Sequence, residues 1–539
     1  MKLAHLKKIR ILVSGLIFIA LLFVFLSIQL PVLGSLGELS LRLQFLPSVL
    51  RFMALFFSLS AMGFILVILL TVIFGRIYCS SICPMGTFQD IVIAISRTLK
   101  KKKQQRFHYT RNRKLILRYT TLGVTLVLWI SGSLFLLNVL DPYSNFGKLS
   151  VSVIQPAYIW LNNTVAFTLE RFDIFAVAPM SMHSLPWNMM MVSLGVVSAI
   201  IVMAAWRGRL FCNTLCPAGA ILGLFSFRPI FRIAFTPEAC TACKKCEWVC
   251  KAECLDSQSH HVDHNRCISC FNCFASCPNQ GLYFTTASLD VKHTVKQKTS
   301  GGKREFLLTL ASGLLSIPLL RKKSLAQGQR RGQGGGQQLQ LQDRSQAGMI
   351  PPGVKKPVTP PGSISHEHFT KNCIACYLCV SKCPTKVISP SFFDFGLEGF
   401  MQPKLDFEKS FCNYDCVACT EICPTGAITK QTPEDKRLIK IGVARFLVEG
   451  CVVTADRTDC GACSEHCPSK AVQMVPYEDG LFIPQVTPSL CIGCGACEFA
   501  CPTEPYKAIY VTGMPVHRTA RPPETSDSPQ EDAADDFPF

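Results

Sequence analysis

Cys240-Thr241-Ala242-Cys243-Lys244-Lys245-Cys246-Glu247-Trp248-Val249-Cys250 sets four thiols two, two and three residues apart, and Cys267-Ile268-Ser269-Cys270-Phe271-Asn272-Cys273-Phe274-Ala275-Ser276-Cys277-Pro278 repeats the pattern. A thiolate at every third position lets one tight loop present three sulfurs to a face of an iron–sulfur cube, while the fourth, usually before proline, ligates the neighbouring cluster. By that pattern Cys240, Cys243, Cys246 and Cys277 hold one 4Fe-4S cluster, and Cys267, Cys270, Cys273 and Cys250 hold a second. The product is a compact ferredoxin-like α+β pair. Lys251 stands where proline is usual and Cys254 is an extra thiol, so Cys254 is an open alternative to Cys250 as ligand. Zinc would need two separated C-x2-C pairs rather than continuous triplets.

Working outward, the motif recurs four times near the C-terminus. Cys373, Cys376, Cys379 and Cys383 keep the regular spacing, as do Cys491, Cys494, Cys497 and Cys501. Cys412, Cys416, Cys419 and Cys423 open with a longer gap, and Cys451, Cys460, Cys463 and Cys467 with a longer one still. A long first gap is tolerable because the first sulfur can arrive on a separate turn. The expected pairing is nested, outer motif with outer and inner with inner, with sequential pairing as the alternative. The six motifs imply six 4Fe-4S clusters.

Of the 29 cysteines, four remain, and they form a different repeat. Gly75-Arg76-Ile77-Tyr78-Cys79-x3-Cys83-Pro84-x-Gly86 recurs as Gly208-Arg209-Leu210-Phe211-Cys212-x3-Cys216-Pro217-x-Gly219. Each copy follows a pair of apolar segments, and a parallel repeat of this kind brings its copies together about a pseudo-twofold axis. Cys79, Cys83, Cys212 and Cys216 are therefore candidates for a shared metal or redox site, or a dithiol relay. The competing reading is a structural turn whose cysteines only pack.

With 49% hydrophobic residues and a mean hydropathy of +0.29, part of the chain belongs in lipid. Segments at about 10–30, 52–74, 119–140 and 188–206 are long enough for the roughly 30 Å hydrocarbon core, which predicts an α-helical membrane domain of four spans. Lys7, Lys8 and Arg10 precede the first segment. Between the second and third, Arg76, Arg97, Lys100 to Lys103, Arg106, Arg111, Arg113, Lys114 and Arg118 face only Asp90. The positive-inside rule makes that side cytoplasmic and the connection from Asp141 to Pro186 external. The uncharged run from Leu149 to Leu169, with Pro156, Asn162, Asn163 and Thr164, reads as interfacial or re-entrant. The net charge of +19 follows membrane orientation rather than nucleic acid, because the basic residues cluster beside apolar segments.

The expected organisation is a membrane domain over 1–235, a two-cluster ferredoxin domain over 236–290, and a signal-like or anchor segment over 300–323. A flexible linker over 324–365, a four-cluster domain over 366–520 and an acidic tail over 521–539 complete it. Lys303-Arg304-Glu305-Phe306-Leu307-Leu308 is similar to a twin-arginine export signal with lysine first, which predicts an exported C-terminal module. No C-x2-C-H for c-type haem and no nucleotide fingerprint is present. No catalytic residue stands out; His183, near the outer end of the fourth segment, is the lone candidate to accept a quinol proton.

On these motifs the first part resembles NapH, the membrane subunit of a periplasmic nitrate reductase quinol dehydrogenase, related to NosR. The second resembles the ferredoxin partners NapG and MauM, so the whole looks like a fusion. The resemblance implies a multi-pass protein of the bacterial inner membrane. It implies quinol oxidation and electron delivery through the clusters to a redox protein partner in the periplasm. The alternative function is assembly or regulation, in which the thiols and clusters reduce a metal or disulfide while another enzyme matures.

Overall fold

The computed structural model describes residues 4–28, 31–55, 62–100, 106–109, 114–181, 186–286 and 356–522. The signal-like segment, most of the linker, nearly all of the acidic tail and His183 lie outside the described residues. The chain divides into two compact units. The first takes the chain up to the linker together with His366–Lys404 and Ala418–Lys430; the second takes Leu405–Val417 and Gln431–Phe539 with Leu339–Ser365.

In the first unit the helices are, in order, α1 (Ala4–Leu26), α2 (Pro31–Arg42), α3 (Phe45–Ala54), α4 (Gly63–Phe74), α5 (Ile77–Ser81), α6 (Pro84–Leu99), α7 (Lys114–Ile130) and α8 (Phe135–Leu140). They continue as α9 (Pro142–Leu149), α10 (Gln155–Glu170), α11 (Trp187–Arg207), α12 (Leu210–Thr214) and α13 (Pro217–Phe225). Among the described residues two helices, α1 and α11, are long and apolar enough to cross a bilayer. They match the first and fourth expected segments.

Over the other two expected segments the described apolar helices are shorter. Over the second, α3 and α4 pack on one another: the Phe64 amide donates to Ser48 Oγ at 2.8 Å and the Phe52 and Phe64 rings lie 5.2 Å apart. The third is divided by a turn at Ser131-Gly132-Ser133, where Gly132 takes φ +93°, leaving α7 and α8 as separate helices. Hydropathy averages over such a break, whereas glycine between two serines offers the backbone a turn. The run from Leu149 to Leu169 lies in a continuous helical stretch, α9 to α10, with a π-helical turn at Ser150–Ile154. Pro156 has no N–H to continue the ladder, and the widened turn just before it absorbs the mismatch.

The cysteine-rich insert is closed at its base by strands Phe231–Phe235 and Leu282–Thr286, paired antiparallel with Phe231 opposite Thr286. Phe231 stacks on Phe74 at 5.5 Å and on Phe284 at 5.9 Å, and Ser269 Oγ donates to Phe74 O at 2.8 Å. The insert is thereby fixed to the C-terminal end of α4. In the second unit Ile439–Phe446 pairs antiparallel with Ile509–Thr519, and Val472–Pro476 forms a hairpin with Phe482–Val486.

Candidate iron–sulfur sites

Thiols converge on distinct cavities. Cys240, Cys243, Cys246 and Cys277 line one of about 320 Å³, and Cys267, Cys270, Cys273, Cys250 and Cys254 line another of about 320 Å³. In the second unit Cys451, Cys460 and Cys463 meet Cys501 around about 330 Å³, and Cys491, Cys494 and Cys497 meet Cys467 around about 260 Å³. In the first unit Cys373, Cys376 and Cys379 gather with Cys423. Cys383 and Cys419 belong to the first unit, Cys412 and Cys416 to the second.

The C-terminal motifs therefore pair in chain order, first with second and third with fourth, and the nested arrangement is not the one found. The reason is local. The hairpin Val472–Pro476/Phe482–Val486 lies between Cys467 and Cys491, so one short excursion returns the chain to exchange its last cysteines, whereas nesting would close a much longer loop.

A shared backbone device shapes four of the motifs. The residues on either side of the second cysteine are left-handed: Ala242 and Lys244, Ser269 and Phe271, Ala375 and Tyr377, Gly493 and Gly495. Only the last pair is glycine. Non-glycine residues in this region cost about 1–3 kcal/mol each and persist where the surroundings over-determine them, which suits loops wrapped around a rigid cube. The two motifs with lengthened first gaps lack this pattern among the described residues. A second device follows the last cysteine by two residues: hydroxyls of Thr385, Thr425, Ser469 and Thr503 lie 3.6, 3.6, 3.7 and 3.1 Å from Sγ of Cys383, Cys423, Cys467 and Cys501. These donors and thiols fit a 4Fe-4S cluster, which supplies reversible one-electron chemistry when bound.

The glycine–arginine–cysteine repeat folds into a near-symmetric pair. Gly75 ends α4 at φ +77° and Gly208 ends α11 at φ +67°; α5 and α12 follow, and Cys83 and Cys216 cap the starts of α6 and α13. Arg76 Nη2 reaches Cys212 O at 3.1 Å, and Arg209 Nη1 reaches Cys79 O at 2.9 Å, so each arginine crosses to the other copy. Arg76 Nη2 also lies 3.7 Å from Cys79 Sγ, and Gln89 Nε2 lies 3.4 Å from Cys212 Sγ. A Cβ on Gly86 would stand 2.3 Å from Cys79 O, and one on Gly219 would stand 2.3 Å from Cys212 O. Only glycine admits this approach. All four thiols are buried.

The charge around these thiols is unevenly balanced. Arg76 and Arg209 are fully buried, and Arg118 and Arg10 nearly so. Two of them share Asp90, which meets Arg209 at 2.7 Å and Arg10 at 3.0 Å and also Lys251 at 3.1 Å. Burial alone would raise the Asp90 pKa, but Arg209, Lys251 and Arg10 together hold it below the usual carboxylate range. One carboxylate does not balance so many buried cations, and uncompensated buried charge is strongly unfavourable. Burial and then the neighbouring Cys212 push the Cys83 thiol well up, so without a metal it stays neutral. A metal or cluster bound as thiolates by Cys79, Cys83, Cys212 and Cys216 would bring negative charge to these arginines. Among the described residues no three such side chains close around a single ion.

The motif at Cys373 is seated on the helices of its own unit. Ser144 Oγ donates to Ile374 O at 2.7 Å, Asn138 Nδ2 to Phe400 O at 2.9 Å, and Ser27 Oγ, just past α1, to Ser381 O at 3.1 Å. A Cβ at Gly147 would lie 2.1 Å from Cys376 O. Asp141 caps α9 by accepting from the Ser144 amide at 2.6 Å, and burial pushes its pKa up to about 7. Sequence alone marks Asp141 only as the start of an external connection and Asp90 only as the one acid among many basic residues.

A family described as a 4Fe-4S binding domain matches residues 55–103 and 188–234, the two halves of the arginine–cysteine repeat. Two families described as 4Fe-4S dicluster domains match residues 372–428 and 456–504. The chain is homologous to ferredoxin-type proteins. The ferredoxin-type protein NapF of Escherichia coli is 26% identical over 154 residues, 29% of this chain and 85% of NapF. The methylamine utilization ferredoxin-type protein MauM of Paracoccus denitrificans is 30% identical over 151 residues, 27% of this chain and 66% of MauM. An uncharacterised protein of Methanocaldococcus jannaschii is 28% identical over 225 residues, 41% of this chain and 77% of its own length. No solved structure matches the chain. One dicluster match covers the first two C-terminal motifs and the other runs from within the third through the fourth, in accord with chain-order pairing. Ferredoxin-type iron–sulfur electron transfer is the activity these domains carry.

Proposed function

We propose that this protein carries electrons through a bacterial inner membrane, from membrane quinol by way of its iron–sulfur sites to a redox protein partner in the periplasm. The observation that carries the reading is the position of cysteine-bearing elements along α1. Arg10, in its first turns, bonds Ser80 O at 3.1 Å and Asp90, which also binds Lys251 of the insert. Ser27, just past its end, bonds Ser381 O beside the Cys373 motif. The seventeen steps from Arg10 to Ser27 rise about 25 Å at ~1.5 Å each, close to the ~30 Å hydrocarbon thickness. The arginine–cysteine repeat stands near the insert end, where Arg76 Nη1 reaches Asn265 O at 3.1 Å, two residues before Cys267. Such a column gives the insert a purpose as one end of a relay, and the likeness to a NapH–NapG fusion belongs to this proposal.

The test is optical. Membranes containing the protein, given quinol anaerobically, should lose part of the broad iron–sulfur absorbance and regain it with an acceptor. No bleaching with any quinol, together with turnover of a metal or disulfide substrate, would replace this reading by the maturation one. Protease added to intact spheroplasts should cut residues 431–520 if they face the periplasm.

A further inference from the structure

Four last cysteines of the C-terminal motifs have a hydroxyl two residues on, and in the insert Gly281 N donates to Cys277 Sγ at 3.2 Å. Cys277 and Cys250 lack that hydroxyl, their second neighbours being Asn279 and Ala252. The residue lining the cavity five positions after the last cysteine is Leu282, Val472 and, after Cys250, Leu255, so Cys250 holds the last-cysteine place in its own site. Backbone N–H groups of Ala252, Cys254 and Leu255 are directed at its sulfur. That is the environment of a ligand thiolate.

Cys254 is almost completely buried in the same cavity. Its Sγ lies 3.5 Å from Cys250 Sγ, and it is also hydrogen-bonded with Cys267. Two ligands of one cube bind different corner irons, and their outward-pointing sulfurs stand farther apart than van der Waals contact. Cys250 and Cys254 therefore do not both ligate.

Given that the insert holds clusters, we propose that Cys254 is a positioning residue that donates its S–H to the ligand sulfur of Cys250, replacing the absent hydroxyl and raising the potential of that one cluster. A donor stabilises the ligand sulfurs more when the cluster carries the extra electron, so removing it lowers the midpoint potential.

The experiment uses the full-length protein in detergent, with iron and sulfide per chain and an EPR-monitored redox titration. Cys254→Ala should leave the iron count unchanged and shift one cluster to lower potential, with the remaining signals unmoved. Adding Ala252→Thr to that variant should move the potential back, and Cys254→Ser, which keeps a donor, should stay near the parent. Loss of about four irons per chain, or a three-iron signal, would make Cys254 a ligand and overturn the proposal. So would an unmoved potential with full iron. A parent protein lacking iron would instead overturn the cluster reading itself.

Discussion

Asp90→Asn tests whether one carboxylate holds together three parts of the first unit. Its oxygens meet Arg209 at 2.7 Å, Arg10 at 3.0 Å and Lys251 at 3.1 Å, which come from the second copy of the repeat, from α1 and from the insert. At an effective dielectric of about 20, each contact near 3 Å is worth about 5 kcal/mol before desolvation. Desolvation cancels most of this, and breaking such a buried network by neutralising one partner costs about 3–5 kcal/mol. Asparagine keeps the shape and one acceptor, so the loss reports charge. The folded-state pKa of Asp90 is depressed. Its stabilisation is therefore full above the unfolded carboxylate value near ~3.9 and is lost as pH falls through the folded one. The denaturant midpoint for loss of iron–sulfur absorbance should drop in the variant by an amount constant from about pH 5 to 8 and shrink only in stronger acid. A variant as resistant as the parent at neutral pH, or a gap that closes between pH 5 and 8, would refute the reasoning.

Gly86→Ala and Gly219→Ala should be equally damaging, because each new Cβ meets a backbone carbonyl at 2.3 Å and a guanidinium of the other copy at 2.7 or 2.8 Å. Overpacking of this kind costs about 1–3 kcal/mol or more, and iron content with thermal stability is the readout; one tolerated variant would end the pseudo-twofold description. Asp141→Asn should stabilise the protein at alkaline pH. Burial raises the Asp141 pKa to about 7, so the native state holds its proton longer than the unfolded chain, and the acid's stability declines as pH rises toward that value. The advantage of the variant should therefore grow between about pH 4 and 7, measured by thermal unfolding against pH, and an advantage that does not vary with pH would contradict it.

Ligand chemistry was readable because it is local: C-x2-C-x2-C demands three sulfurs on one face whatever surrounds it. The arginine–cysteine repeat was readable for a related reason, since Gly86 and Gly219 betray a close backbone approach. The pairing of the C-terminal motifs was not, because nothing in a motif records its partner, and the hairpin at Val472–Val486 that decides it is ordinary in composition. The turn at Gly132 was hidden because hydropathy averaged over twenty residues passes across it. The seat of the Cys373 motif was also hidden. It depends on Ser27, Asn138, Ser144 and Gly147, each unremarkable by itself and each meaningful only against a segment more than two hundred residues away.

Arg76 has a consequence for how electrons move. One guanidinium bonds Cys212 O, lies 3.7 Å from Cys79 Sγ and reaches Asn265 O, beside the start of the Cys267 motif. A single positive charge thus lies between two thiol sites. That charge would stabilise an electron at either site, and an electron at one would repel a second at the other across a buried, weakly screened gap. Reduction of one site should therefore make reduction of the other harder. Two sites coupled in this sense exchange one electron rather than store two, which is the behaviour a relay needs and an electron reservoir does not. Arg209 lacks a matching bridge: its second contact is Asp90, and that carboxylate offsets its charge. The two halves of the repeat are alike in fold and unlike in electrostatics, and the asymmetry directs the coupling toward the insert.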